Sequence, residues 1–187
     1  MRLFVALQPP ESVLDEIARQ VDRVRRHGPE LRWSRRDQWH ITLAFLGEVD
    51  ERVLPDLGDR LERGARRHAP LHLSFGGAGR FTRGVLWMGV RGDHDALRAL
   101  AATVAAAGRR AGVGIEDRPF RPHLTLARSR GRAGADLRPL VDALGGFDGT
   151  PWTADAVHLI ESRLGAKPMY TTLGTWPFAA RPDQEGE

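Results

Sequence analysis

The chain has no cysteine, no asparagine and a single lysine, Lys167. Without cysteine there is no disulfide, no thiolate metal site and no cysteine nucleophile. No run of about 18 apolar residues occurs, which excludes a membrane-spanning helix. The apolar opening Met1-Arg2-Leu3-Phe4-Val5-Ala6-Leu7 is too short for a signal-peptide core and meets Gln8-Pro9-Pro10-Glu11 at once, so it reads as a first β-strand. These absences fit a cytoplasmic protein with no membrane partner. Arginine takes lysine's place: of 28 basic residues 27 are Arg, and the net charge is +4. A GC-rich genome would give that bias unaided, yet the planar guanidinium fork suits phosphate, and a basic balance fits a nucleic-acid or phosphate ligand. With 187 residues, 41% hydrophobic and 28% charged, the composition is that of a globular domain and excludes disorder over most of the length.

Hydrophobic spacing divides the chain into short strands and few helices. Helical periodicity joins Val13, Leu14, Ile17, Val21 and Val24 up to about His27, where Gly28-Pro29 ends it. A short strand is expected over Leu31 to Ser34 and a stronger one over Trp39 to Leu46. A second helix is expected over 51–68, then a strand through Leu71, Leu73 and Phe75 and a loop at Gly76-Gly77-Ala78-Gly79. Val85 to Val90 reads as a strand, 94–110 as an Ala-rich helix and Phe120 to Arg128 as a strand interrupted by Pro122. A Gly131–Gly134 loop, a short helix over 136–144 and strands at Trp152 to Glu161 and Met169 to Leu173 follow. Residues 181–187 read as a frayed, disordered tail. Strands that follow strands directly argue for an α+β fold of antiparallel sheets with helices on the outer faces. No linker divides residues 1–180, so they form one unit.

One pattern occurs twice: His40-Ile41-Thr42-Leu43-Ala44 and His123-Leu124-Thr125-Leu126-Ala127. From this composition a single His-x-Thr-Leu is expected roughly 0.04 times by chance. Side chains alternate faces along a strand, so His40 and Thr42 share one face while Ile41 and Leu43 share the other; His123 and Thr125 behave likewise. The apolar pairs belong to a core and the His/Thr pairs point away from it. Two such strands facing each other place two imidazoles and two hydroxyls around one cleft, and the repeat suggests two lobes related by approximate two-fold symmetry. One imidazole can then serve as general base and the other as general acid, while the hydroxyls donate to oxygens that gain charge in a transition state. In-line cleavage of a phosphodiester needs that set, and the strained ring of a 2′,3′-cyclic phosphate makes a metal ion less necessary. No His-x-His, His-x-x-x-His or carboxylate cluster accompanies either motif, so no metal and no cofactor are expected. His27 and His68 end predicted helices, and His72, His94 and His158 show no partner in the sequence.

The chain resembles the 2H phosphoesterases, specifically the bacterial and archaeal RNA 2′,3′-cyclic phosphodiesterases also called 2′–5′ RNA ligases. The resemblance rests on the two motifs, extended to Phe45-Leu46-Gly47 after the first and to Arg121-Pro122 before and Arg128 after the second. Supporting segments are the opening strand, Trp33, Gly79-Arg80-Phe81, Val85-Leu86-Trp87 and Glu161-Ser162-Arg163-Leu164 to Tyr170. It implies two lobes, each an antiparallel sheet, around a cleft. It implies that His40 protonates the leaving 3′ oxygen, that His123 activates water, that Thr42 and Thr125 hold phosphate oxygens and that Arg128 contacts substrate. The motifs alone do not say which His is acid and which is base. Strict alternation places Arg121 on the cleft side, Arg128 on the face opposite His123 and Phe45 on the core side; Phe81 and Trp87 read as core before base-stacking groups. The expected ligands are RNA ends, tRNA fragments among them, or small cyclic nucleotides, bound by a monomer. Reversible 2′–5′ ligation, hydrolysis of a small cyclic nucleotide and RNA-end binding without turnover are the alternative readings.

Overall fold

The computed structural model describes residues 1–82, 84–131 and 134–180; the tail expected over 181–187 lies outside them. Among the described residues nine strands and four α-helices follow in the order β1 (Arg2–Leu7), α1 (Glu11–Val24), β2 (Leu31–Trp33), β3 (Ile41–Glu48), α2 (Leu54–Ala65), β4 (Leu71–Phe81), β5 (Val85–Gly92), α3 (His94–Arg110), β6 (His123–Ser129), α4 (Arg138–Leu144), β7 (Trp152–Ala154), β8 (Ala156–Arg163) and β9 (Met169–Pro177). The fold is α+β with two sheets, ordered β3-β1-β8-β9 and β2-β6-β5-β4-β7, and every pairing is antiparallel. Helices α2 and α3 pack on β9 and β3, on the outer side of the first sheet, while α4 packs on β4 and β5 and carries α1. None of the described helices is long and apolar enough to cross a membrane.

Alternation along β1 sorts the two faces of the first sheet. Leu3, Val5 and Leu7 join the large core under the helices, together with Ile17, Leu57, Leu61, Leu100 and Val104. Phe4 and Ala6 face the other way and form a small separate cluster with Ile160 and Tyr170. That second face, and the face of the other sheet bearing Gly89 and Trp87, are the ones between which β3 and β6 approach each other.

Two elements differ from the sequence reading. The Gly76–Gly79 stretch lies within β4, which runs to Phe81 with a bulge between Phe75 and Ala78. Glycine is needed there because a Cβ at Gly79 would come within 2.2 Å of the Trp87 ring, so the indole lies flat on bare backbone. The stretch from Trp152 to Glu161 is two strands: β7 pairs with β4 in one sheet, the chain turns at Asp155, and β8 pairs with β1 in the other. The two sheets interleave along the sequence, since β2 precedes the first motif yet lies beside β6 in the second sheet.

Candidate active site

The strand β3 carries the first motif, and His40 immediately precedes it. Ile41 and Leu43 are buried, and His40 and Thr42 line the opposite face. The His40 Nε2 and Thr42 Oγ1 atoms are 2.9 Å apart. Phe4 stacks on the imidazole at 4.7 Å between ring centroids, and the Tyr170 ring meets it edge-on at 5.6 Å. In the second sheet His123 opens β6, with Leu124 and Leu126 buried and Thr125 on the imidazole's side. The Phe81 ring stands edge-on to His123 at 4.9 Å and Trp87 lies at 6.3 Å. Each imidazole therefore sits between two aromatic rings supplied by its own sheet. Phe81 and Trp87, half-buried, form the wall of His123, and the buried Trp87 Nε1–H finds no acceptor among the described residues.

The two histidines are anchored alike. His123 Nδ1 donates to the Arg121 carbonyl at 2.6 Å, which leaves Nε2 as the free lone pair. The carbonyl at the matching position before His40, that of Gln38, favours the protonated form of that ring. Burial outweighs it and pushes His40 down to about 4, with the charge of His123 adding to the effect. Burial also lowers His123, opposed by the Arg121 carbonyl and assisted by the nearby Arg128 charge. Desolvation penalises the imidazolium, and the aromatic walls are its source.

Alternation fails at the same point in both motifs, and this corrects two expectations. Ala6 pairs with Thr42 but Val5 pairs with Ala44, so Leu43 is an extra residue; Trp87 pairs with Thr125 but Leu86 pairs with Ala127, so Leu126 is its counterpart. A bulge reverses the faces that follow it. Phe45, expected in the core, pairs with Phe4 on the cleft face and is 66% exposed. Arg128, expected opposite His123, pairs with Val85 on the same side as Trp87 and Thr125. The bulge leaves no mark on hydrophobic pattern, so counting residues could not find it.

Arg121 lies before β6 and is exposed; the strand does not reach it, so alternation does not orient it. Other groups at this end of the cleft escaped the sequence reading. Register puts Arg2 on the cleft face of β1 and sets Arg32 directly across from Arg128. Among the described residues none of Arg2, Arg32 and Arg128 has a carboxylate partner. Burial raises the Tyr170 phenol, while Arg128 and Arg2 lie near enough to lower it. Like charges directly opposite each other cost stability unless an anion offsets them. His158, without a visible partner in the sequence, shares this face through its pairing with Ala6 and lies 3.0 Å from the Thr175 hydroxyl. No group of three or more metal-ligating side chains occurs among the described residues.

Comparison with known proteins shows the family and the fold. The 2′-5′ RNA ligase superfamily model matches residues 13–166. An RNA 2′,3′-cyclic phosphodiesterase of Thermus thermophilus is 36% identical, with 92% of this chain and 88% of that one aligned. One of Geobacillus stearothermophilus is 30% identical over 81% of this chain, which spans only 49% of that protein's length. The crystal structure of Escherichia coli LigT complexed with 3′-AMP superposes with a TM-score of 0.80 at 28% identity, covering 95% of this chain and 97% of that one.

Proposed function

The chain belongs to the 2′-5′ RNA ligase superfamily, and from that membership we propose that it hydrolyses the 2′,3′-cyclic phosphate at an RNA end to a 2′-phosphate, with two histidines and no metal ion. The observation that carries this reading is the matched pair of imidazoles, each with a threonine two residues on and each walled by aromatic rings, on strands that meet at one cleft. The names of the relatives support the substrate class.

His123 is the base. Its Nδ1 proton is committed to the Arg121 carbonyl, so Nε2 is free to take a proton from water as the water oxygen attacks phosphorus. The bond from phosphorus to the 3′ oxygen breaks, and His40 hands its proton to that oxygen. Burial disfavours a charged His40 in the free protein; the phosphate anion supplies the countercharge that restores its proton on binding. Thr42 and Thr125 donate to the non-bridging oxygens, where charge accumulates. Arg128 balances the anion from the second sheet, and Phe45 offers an exposed ring to a base. Ligation would put the 5′-hydroxyl of a second RNA in the place of water: His123 takes its proton, its oxygen attacks phosphorus, and the 3′ oxygen leaves with the proton of His40, which gives a 2′–5′ linkage. The 3′-AMP complex of the E. coli protein favours, as a second reading, a small cyclic nucleotide as substrate.

The test is incubation of a short RNA ending in a 2′,3′-cyclic phosphate with the protein in EDTA, followed by identification of the phosphate left behind. A 2′-phosphate, lost with His40→Ala and with His123→Ala, is expected. Absence of turnover overturns the reading, and turnover only on adding a divalent metal overturns its metal-free mechanism.

A further inference from the structure

On the far side of the first sheet, away from His40 and His123, α2 and α3 enclose a groove of about 400 Å³ lined by Arg60, Arg63, Arg66, Arg67 and Arg110. We propose that this groove holds the phosphodiester backbone of the RNA body, at nucleotides remote from the end that enters the cleft; the proposal rests on the RNA-end reading above.

The floor and the walls have different chemistry. The floor is made of small groups, Thr103 and Ala107 of α3, and the buried Gly64 of α2 lies against Thr103, where an added Cβ would come within 2.9 Å of its Cγ2. The helices thus come close together below and leave open space above. The walls are guanidinium groups. Arg60 is held by Asp56 at 2.8 Å and Arg66 by Glu62, but Arg63, Arg67 and Arg110 have no carboxylate partner among the described residues. Arg60 and Arg63 lie three residues apart on α2, on one side and about 4.5 Å apart along the axis, and Arg67 continues the row from the turn just past the helix end at Ala65. Such a row matches successive phosphates of a strand better than one small anion, which would need donors converging on a point.

The same features disfavour other partners. A membrane or a protein hot spot would call for large apolar side chains at the surface. The exposed ones among the described residues are Phe45, Leu164, Met169 and Leu173, none of which lines this groove. The groove is nonetheless joined to the substrate side: Trp176 of β9 packs under Gly58 of α2, and β9 is the free edge of the sheet whose other face bears Tyr170. A strand leaving the cleft over that edge reaches the groove.

The experiment uses the triple variant Arg63→Gln, Arg67→Gln, Arg110→Gln. Binding of a fluorescent RNA hairpin ending in a 2′,3′-cyclic phosphate is measured by anisotropy over a range of salt, beside turnover of a dinucleotide with the same end. Each lost phosphate contact should flatten the log–log salt dependence by about 0.7 to 0.9, so the triple variant should lose about 2 to 3 in slope and bind the hairpin about tenfold or more weakly near 0.1 M salt. Dinucleotide turnover should stay at the wild-type level, which also reports that the variant is folded. An unchanged slope and affinity overturns the proposal, as does a groove-dependent binding of anionic vesicles with no effect on RNA. Failure of wild-type protein to turn over any cyclic end would instead sink the RNA-end reading, a result separate from the binding curves.

Discussion

Phe45 and Arg128 hold the same place in the two lobes: each follows its motif histidine by five residues and each is returned to the cleft face by a bulge at the motif leucine, Leu43 or Leu126. A repeated scaffold thus presents an aromatic ring on one wall and a cation on the other. The bulge repeats while the side chains it presents differ, as the ligand proposed above, a base joined to a phosphate, requires.

Phe45→Ala should therefore weaken nucleotide binding without harming the fold. The ring is 66% exposed, so the change in stability should stay within about 0.5 kcal/mol. Loss of one base-stacking contact is worth about 1–3 kcal/mol, so KM for an RNA cyclic phosphate should rise about tenfold with kcat nearly constant. An equal KM in steady-state kinetics would remove Phe45 from the site.

Removing either imidazole should be far more damaging to turnover than to binding. His40→Ala and His123→Ala should each lower kcat by about 10²–10⁴-fold, and the double variant should lose much less than the product of the two, because acid and base act as a unit. Single-turnover rates on a saturating substrate would separate this from a folding defect.

The pH dependence has a definite sign. Both imidazoles are lowered from their ordinary value, His40 to about 4. The form with one ring protonated and one neutral is thus most populated on the acid side of neutrality. The kcat/KM profile should be bell-shaped with its maximum below about pH 6.5 and should fall toward pH 8, reporting the pair and not single residues. A maximum above pH 8 would contradict this electrostatic picture.

Stability should follow the same groups. Between pH 6.5 and 4 the unfolded chain takes up a proton at His40 that the folded protein refuses, so folding weakens as the pH falls through that window. The loss is about 3 kcal/mol at most from this one group. His40→Gln should flatten the curve of urea midpoint against pH over that range, and an unchanged slope would count against a buried neutral His40.

Gly79→Ala should disturb the site from beneath. The new Cβ would fall 2.2 Å from the Trp87 ring, which cannot stay flat on β4. An overpacking cost of about 1–3 kcal/mol is expected, visible as a lower Tm, together with slower turnover because Trp87 and Phe81 form the wall of His123.

The histidines and threonines were legible in the sequence because a doubled five-residue pattern in strand context is rare, and alternation alone oriented them. The helices α1, α2 and α3 were legible from their apolar stripes. What escaped was set by pairing between distant segments. The turn at Asp155 separates two strands of the same apolar character, and only their partners, β4 and β1, distinguish them. The glycines at 76–79 look like a loop until Trp87, on the neighbouring strand, is seen to need the space. The cleft-facing arginines Arg2 and Arg32 carry no local signal, since their role depends on the register of β1 and of β2.

The interleaved strand order has a consequence for how the chain is made. The first strand, β1, is interior to its sheet, flanked by β3 on one side and by β8 on the other. During synthesis from the N-terminus β3 is available early, but β8 and β9 come from residues 156–177. Until they emerge, one hydrogen-bonding edge of β1 is open and the Phe4, Ala6 and Ile160 cluster has no third member. An uncovered edge of that kind is a template for pairing with another chain. Truncation just before residue 156 should therefore yield an aggregating product and not a half-active lobe, and the slowest event in refolding should be the closing of β8 onto β1, the contact that spans most of the sequence.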